Sequence, residues 1–113
     1  MTDLSEYKEL YIRTATELIQ NLQQDFGLYM NNSADDAVIE RLHRNFHSLK
    51  GQSLVMGYQN TGLQCKKLEL IFREIKEKKL APTDRLKQSI AVSIQNIYDS
   101  IESIKNNDKE LVI

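Results

Sequence analysis

Apolar residues that recur every three or four positions constrain this chain more than any other feature. That spacing is the period of an α-helix with one buried face, whereas no segment alternates apolar and polar residues as a half-buried strand does. The first such stripe consists of Leu4, Tyr7, Tyr11, Ala15, Leu18, Leu22, Phe26 and Tyr29. The pattern therefore predicts a long amphipathic first helix.

Three more stripes with the helical period follow in the rest of the chain. Their members are Ile39, Leu42, Phe46, Leu49 and Met56 in the second, Leu63, Leu68, Ile71, Phe72 and Ile75 in the third, and Leu86, Ile90, Ile94, Ile97, Ile101 and Ile104 in the fourth. Each stripe is long enough for three or more helical turns. The sequence therefore predicts four helices.

Helix start and stop signals separate the four stripes. In "NNSADD", Ser33 followed by Asp36 resembles a capping box that opens the second helix. Gly57 stands where a glycine commonly ends a helix, which predicts the C-terminus of the second helix. The segment "LAPTDR" holds the one proline of the chain, and either Thr83 or Asp84 is available there to cap the fourth helix.

Four helices with short joins predict an all-α fold, an antiparallel up-and-down four-helix bundle. The length of 113 residues suits one domain with a single core. We place this domain at residues 1–106. Residues 107–113 are expected to form a frayed C-terminal tail, a short extra helix or the start of a linker.

Composition excludes several classes of function. The formal charge of −1 gives no general attraction to nucleic acid or to anionic lipid. A single cysteine, Cys65, excludes an internal disulfide, and no second thiol completes a zinc pattern. The first ten residues lack the features of a signal peptide, and no apolar run approaches the roughly 20 residues that span a bilayer. We therefore expect a cytoplasmic protein that binds neither membrane nor nucleic acid.

The segment "FHSLKGQSLVMG" places a glycine inside the second predicted helix. At about 100° per residue, His47 points roughly 120° away from the apolar stripe, and Gly51 lies further round. An exposed glycine within a helix costs roughly 0.5–1 kcal/mol relative to alanine. It leaves bare backbone beside His47, and Lys50 puts a cation on the same surface. An exposed nucleophile, a neighbouring cation and a clear approach suit phosphoryl transfer to and from histidine.

The same segment resembles the His-x-Leu-Lys-Gly signature of histidine phosphotransfer (HPt) domains, most of all those of CheA-type chemotaxis kinases. The signature continues with a second glycine and an aromatic residue, here Gly57 and Tyr58. The resemblance implies that His47 accepts a phosphoryl group on Nε2 from the ATP-binding domain of a histidine kinase. It then passes the group to an aspartate in the receiver domain of a response regulator. Lys50 would assist this transfer, and Gly51 would clear the approach.

The resemblance also implies a carboxylate on the third helix that hydrogen-bonds the other imidazole nitrogen. Counting from Gly57, the matching residue is Glu69 in "CKKLEL". A carboxylate bonded to Nδ1–H would leave the Nε2 lone pair free and raise its basicity. CheA-type domains often have a second histidine three residues before this glutamate, where this chain has Lys66.

Two function classes remain open, a phosphotransfer module and a helical interaction or dimerisation domain without phosphotransfer. His43 lies four residues before His47, a spacing that can bind zinc on a helix, but no third ligand is evident. We expect no metal and no cofactor, and assign His43, Arg44 and Lys66 to the border of the surface that partners approach. The isolated domain is expected to be a monomeric phosphocarrier and not an enzyme, because it lacks nucleotide-binding motifs.

Overall fold

Four α-helices form where the four apolar stripes predict them. The computed structural model describes residues 4–112, and its helices are α1 (Leu4–Asn31), α2 (Asp36–Val55), α3 (Gln59–Lys76) and α4 (Asp84–Asn107). Each helix packs against its neighbours in chain order, and α4 closes the bundle against α1. The predicted antiparallel four-helix bundle is confirmed. Residues 1–3 and 113, and the side chain of Leu4, lie outside what the structure describes.

The core is the interior of this bundle, which is 48 Å long and 22 by 20 Å across. Buried apolar side chains from all four helices fill it, and Phe72 of α3 packs against two other aromatic rings, with centroids 5.8 Å from Phe46 and 5.4 Å from Tyr29.

Two predicted members of the stripes are exposed, Tyr7 at 51% and Leu63 at 56%. Four more are partly buried: Leu18, Met56, Ile71 and Leu86. Leu63 directly follows the buried Gly62 and is rotated by about 100° away from the core-facing side of α3. Tyr7 lines an open groove between α1 and α2.

The predicted start of α2 is wrong by two residues. Asp35, not Ser33, is the N-cap, and its carboxylate accepts hydrogen bonds from the backbone N–H groups of Ala37 and Val38. The Ser33 hydroxyl instead donates to the carbonyl of Tyr29 at the end of α1. Both side chains therefore satisfy backbone groups at helix ends, but Ser33 completes the preceding helix.

The other two predicted helix boundaries agree with the structure. Gly57 has a positive φ of 84° and directly follows Met56, the C-cap residue of α2. The amides of Gly57 and Tyr58 donate to the carbonyls of Leu54 and Ser53, which is the Schellman pattern. At α4, Thr83 is the N-cap and accepts from the amide of Leu86. The turn at Gly57 joins α2 to α3, and the Thr83 cap begins the helix that follows α3.

The segment after α4 is hydrogen-bonded to the bundle at Glu110 and Leu111, unlike a frayed tail, which was one of the three forms expected for it. We call residues 108–111 the strap, because they fold back from α4 onto the start of α3. The side chain of Tyr58, the N-cap residue of α3, makes no capping hydrogen bond. The Glu110 carboxylate caps the helix instead, accepting hydrogen bonds from the backbone amides of Asn60 (3.1 Å) and Thr61 (2.7 Å). Hydrogen bonds then run from the Leu111 amide to the Ser100 hydroxyl, on to Thr61 Oγ1 and from there to Glu110.

Candidate functional site

His47 occupies the middle of α2 on the side away from the core. Its neighbour Phe46 is fully buried, whereas the side chain of His47 is 65% exposed. The two residues differ in this way because consecutive helical positions are rotated by about 100°. Helix α2 is thus anchored through Phe46 while the imidazole of His47 stays open to a partner.

Glu69 of α3 meets the inner nitrogen of this imidazole. Its two carboxylate oxygens lie 2.9 Å and 3.1 Å from His47 Nδ1. A carboxylate can only accept a hydrogen bond, so Nδ1 carries the proton and donates it. The neutral ring then has its lone pair on Nε2, and no group in residues 4–112 hydrogen-bonds that atom.

Lys50 completes a three-residue cluster with His47 and Glu69. The Lys50 ammonium donates to both Glu69 oxygens at 2.9 Å. It also lies 3.4 Å from His47 Nδ1, but both nitrogens carry protons aimed at the carboxylate, so we do not count this contact as a hydrogen bond. The Lys50 side chain is only 21% exposed, which fixes a positive charge beside the imidazole.

Glu69 is ionised in this setting. Burial raises the pKa of its carboxyl group, but hydrogen bonds from His47 and Lys50, with the charge of Lys50, outweigh burial and lower the pKa below its ordinary value. The carboxylate therefore remains charged at neutral pH. In this state it holds both the imidazole tautomer and the lysine in place.

Gly51 lies on an open surface next to His47. A Cβ atom built at this position would have no neighbouring atom within 4 Å, so close helix packing does not require this glycine. Gly51 and His47 line one end of a largely apolar groove of about 570 Å³ between α1 and α2. The groove continues past the exposed side chains of Leu10 and Val55. At Gly51 the backbone is therefore bare, and the space beside it is open.

The remaining predicted residues surround this cluster without joining it. His43 is half-buried and Arg44 exposed, one turn before His47 on α2, and Lys66 is exposed on α3. His43 has no partners for a metal site: no group of three or more metal-binding side chains occurs within the described residues.

Arg73 is an exposed cation near the site that the residues predicted from the sequence do not include. The His47–Glu69 contact and the Lys76–Glu40 ion pair fix the antiparallel register of α2 against α3. In that register Arg73, one turn after Glu69 on α3, lies opposite His43, one turn before His47 on α2. The expected His47–Glu69 pair and the expected antiparallel arrangement would together have placed Arg73 near the site.

Comparison with known proteins identifies the family to which this site belongs. The family model of the Hpt domain matches residues 6–104, almost the whole bundle. The chain belongs to the Hpt domain family. Hpt domains carry phosphoryl groups in two-component phosphorelays, so phosphorelay signal transduction is the function of this chain, as a phosphocarrier and not a catalyst. No comparison favours the alternative of an interaction domain without phosphotransfer.

The relatives of this Hpt domain include chemotaxis proteins. The chemotaxis protein CheA of Listeria monocytogenes and that of Listeria innocua are each 22% identical to it over 98 residues, which is 87% of this chain and 16% of each relative. The chain thus spans about a sixth of their length. The CheA phosphotransferase domain from Thermotoga maritima superposes with a TM-score of 0.85 at 24% identity, covering 93% of this chain and all of that domain. This likeness shows the fold.

No helix in the described part of this Hpt domain has an apolar stretch long enough to cross a membrane.

Proposed function

We propose that His47 is the phosphoryl-accepting residue of this Hpt domain and that Nε2 is the atom that carries the group. The observation that carries the proposal is the contact between Glu69 and Nδ1 at 2.9 Å. Because the carboxylate keeps the ring proton on Nδ1, the lone pair is on Nε2, which is exposed and free for attack. His43, one turn away, lacks such a carboxylate contact among the residues described.

In the forward step, the Nε2 lone pair attacks the γ-phosphorus of ATP held by a histidine kinase domain. The N–P bond forms as the P–O bond to the departing ADP breaks, and the proton on Nδ1 stays in place. The positive charge that develops on the imidazole is stabilised by the ionised Glu69. This stabilisation is electrostatic and preorganised, since Glu69 is already held by Lys50 before the reaction.

In the return step, a carboxylate oxygen of a receiver aspartate attacks the same phosphorus. The O–P bond forms, the N–P bond breaks, and the electron pair returns to Nε2. Lys50 favours both steps, because a phosphoryl group on a side chain carries about −1.5 to −2 charges near neutral pH. The likeness to CheA supports a CheA-like kinase as the phosphoryl donor, with the domain acting in the cytoplasm, where ATP is available.

The test is phosphoryl labelling from a CheA-like kinase core and radiolabelled ATP. We expect the wild-type domain to acquire an acid-labile label and His47→Gln to acquire none while keeping its helical circular dichroism spectrum. His43→Gln is the matched control, with the same substitution one turn away, and should label normally. Labelling of His47→Gln to the wild-type extent would exclude His47 as the acceptor.

A further inference from the structure

Helices α2 and α3 together carry a net positive charge, although the chain as a whole is anionic. These two helices carry seven Lys and Arg residues against four Asp and Glu residues, whereas the whole chain has a formal charge of −1. The rest of the chain must therefore carry the excess of negative charge. Such an uneven distribution creates a local potential that attracts anionic partners to one side of a protein.

Four cations on α2 and α3 form no ion pair within the described residues. Ion pairs join Lys50 to Glu69, Lys76 to Glu40 and Arg41 to Asp25. The cations that form no ion pair within residues 4–112 are Arg44, Lys66, Lys67 and Arg73. Of these, Lys67 lies about 160° round α3 from Glu69 and so points away from the site. We call Arg44, Lys66 and Arg73 the cationic collar.

All three residues of the collar are exposed. The pKa of Glu40 is lowered by its hydrogen bond from Lys76 and, more weakly, by the charge of Arg44. The pKa of Glu77 is lowered by its hydrogen bond from Lys79 and, more weakly, by the charge of Arg73. Neither guanidinium is held in an ion pair within the described residues, so both can still reach a partner.

The collar surrounds the His47–Glu69 pair. Arg44 lies three residues before His47 on α2, and residues three or four apart are neighbours on a helix surface. On α3, Lys66 lies three residues before Glu69 and Arg73 four residues after it, so they occupy the same face on either side of the carboxylate. A partner whose reactive group reaches Nε2 of His47 must therefore approach through the field of these three charges.

The proposed return step brings two anions together at this place. The phosphoryl group on His47 is close to a dianion, and the acceptor is an aspartate carboxylate. Within the site, the charge of Lys50 is already shared with Glu69, whose two oxygens it contacts at 2.9 Å. The collar supplies the additional positive charge that offsets the repulsion between the phosphoryl group and an acidic receiver surface.

We propose that Arg44, Lys66 and Arg73 form the electrostatic docking surface for the receiver domain, which presents carboxylates around its acceptor aspartate. This inference rests on the proposed function of His47 and adds a partner-recognition role that is separate from the chemistry on Nε2. Because the collar acts on association, it governs the second-order rate constant and its salt dependence. The stability of the N–P bond in the absence of a partner does not depend on it.

The test uses the domain phosphorylated beforehand with phosphoramidate, a small donor that needs no docking surface. Transfer to a panel of purified receiver domains from chemotaxis response regulators is then measured from low to high salt. We expect Arg73→Glu to slow transfer on the order of tenfold at low salt and to flatten the salt dependence. Lys67→Glu is the matched control, with the same charge change on α3 but about 160° round the helix from Glu69, and should transfer at nearly the wild-type rate.

Each alternative outcome is distinguishable. Equal effects of Arg73→Glu and Lys67→Glu would overturn the collar, since net charge alone would then explain the change. Slower labelling by the kinase core with unchanged transfer to the receiver would also overturn it, because the surface would then serve the donor. If the wild-type domain acquires no label from phosphoramidate or the kinase core, the function proposed for His47 fails, and the collar with it.

Discussion

Substitutions at Gly51 test whether this glycine serves access to His47 or the stability of the fold. The position is helical and exposed, and a Cβ atom there would meet nothing within 4 Å. Gly51→Ala should therefore stabilise the protein by about 0.5–1 kcal/mol through helix propensity. For 113 residues the unfolding entropy is about 0.24 kcal/mol/K, so Tm should rise by about 2–4 °C.

A long side chain at the same position should separate the two properties. Gly51→Gln should keep most of the gain in stability, since glutamine is a good helix former, but its side chain extends over the approach to His47. We expect the rate of transfer to a receiver domain to fall while Tm stays at or above the wild-type value. Thermal unfolding and single-turnover transfer rates, measured on the same preparations, test this directly.

Gly62 provides the matched control, because it is the glycine that packing does require. A Cβ atom there would lie 2.5 Å from Leu54 Cδ2 and 2.7 Å from Leu54 Cγ, so the Leu54 side chain would have to move. Gly62→Ala should therefore be less stable than Gly51→Ala, because the partly exposed Leu54 side chain must turn away and loses packing. If Gly51→Ala destabilises the domain to a similar extent, or if Gly51→Gln transfers at the wild-type rate, the access argument is refuted.

Three other substitutions test the remaining contacts by pH-dependent or thermal unfolding. Glu69→Gln should lower the free energy of unfolding by about 1–2 kcal/mol at neutral pH. Because the pKa of Glu69 in the folded protein lies below its ordinary 4.5, this difference should persist above pH 4.5 and shrink as the pH falls through the folded pKa. A difference that does not change with pH would contradict the ion pair. Tyr29→Phe should be neutral or stabilise the fold by about 1 kcal/mol, since the buried Tyr29 hydroxyl has no hydrogen-bond partner in the described part of the chain. Tyr11→Phe should destabilise the fold, because the Tyr11 hydroxyl forms a hydrogen bond with Ser53 at 2.8 Å. A Tyr29→Phe protein less stable than Tyr11→Phe would contradict this reasoning. Glu110→Ala should lower the free energy of unfolding by about 1–2 kcal/mol, because α3 loses its cap. Lys109→Ala is the control and should be nearly neutral, since the backbone carbonyl of residue 109 still accepts from the Ser103 hydroxyl. Equal effects of the two substitutions would exclude the cap.

The sequence predicted those parts of the molecule that depend on residues close together in the chain. The four helices follow from the apolar period, and the exposure of His47 and Gly51 follows from their rotation on α2 relative to Phe46. Glu69 was identified by its spacing in a known family, not by local chemistry. The structure now gives the physical content of that spacing, a hydrogen bond to Nδ1.

Features that depend on distant residues were not predictable in this way. Glu110 caps a helix that begins about fifty residues earlier, and no local pattern relates an acidic residue after α4 to the start of α3. Arg73 joins the site only through the register of α2 against α3. At the start of α2, Ser33 and Asp35 are both good capping residues, and the choice between them depends on where the last carbonyls of α1 point.

The nitrogen that carries the phosphoryl group tests the central claim most directly. NMR correlation of phosphorus with the ¹⁵N-labelled imidazole rings of the phosphorylated domain identifies both the residue and the atom. The geometry predicts phosphorylation of His47 on Nε2, with the Nδ1 proton retained in its hydrogen bond to Glu69. A phosphoryl group on Nδ1 of His47, or on His43, would contradict the assignment.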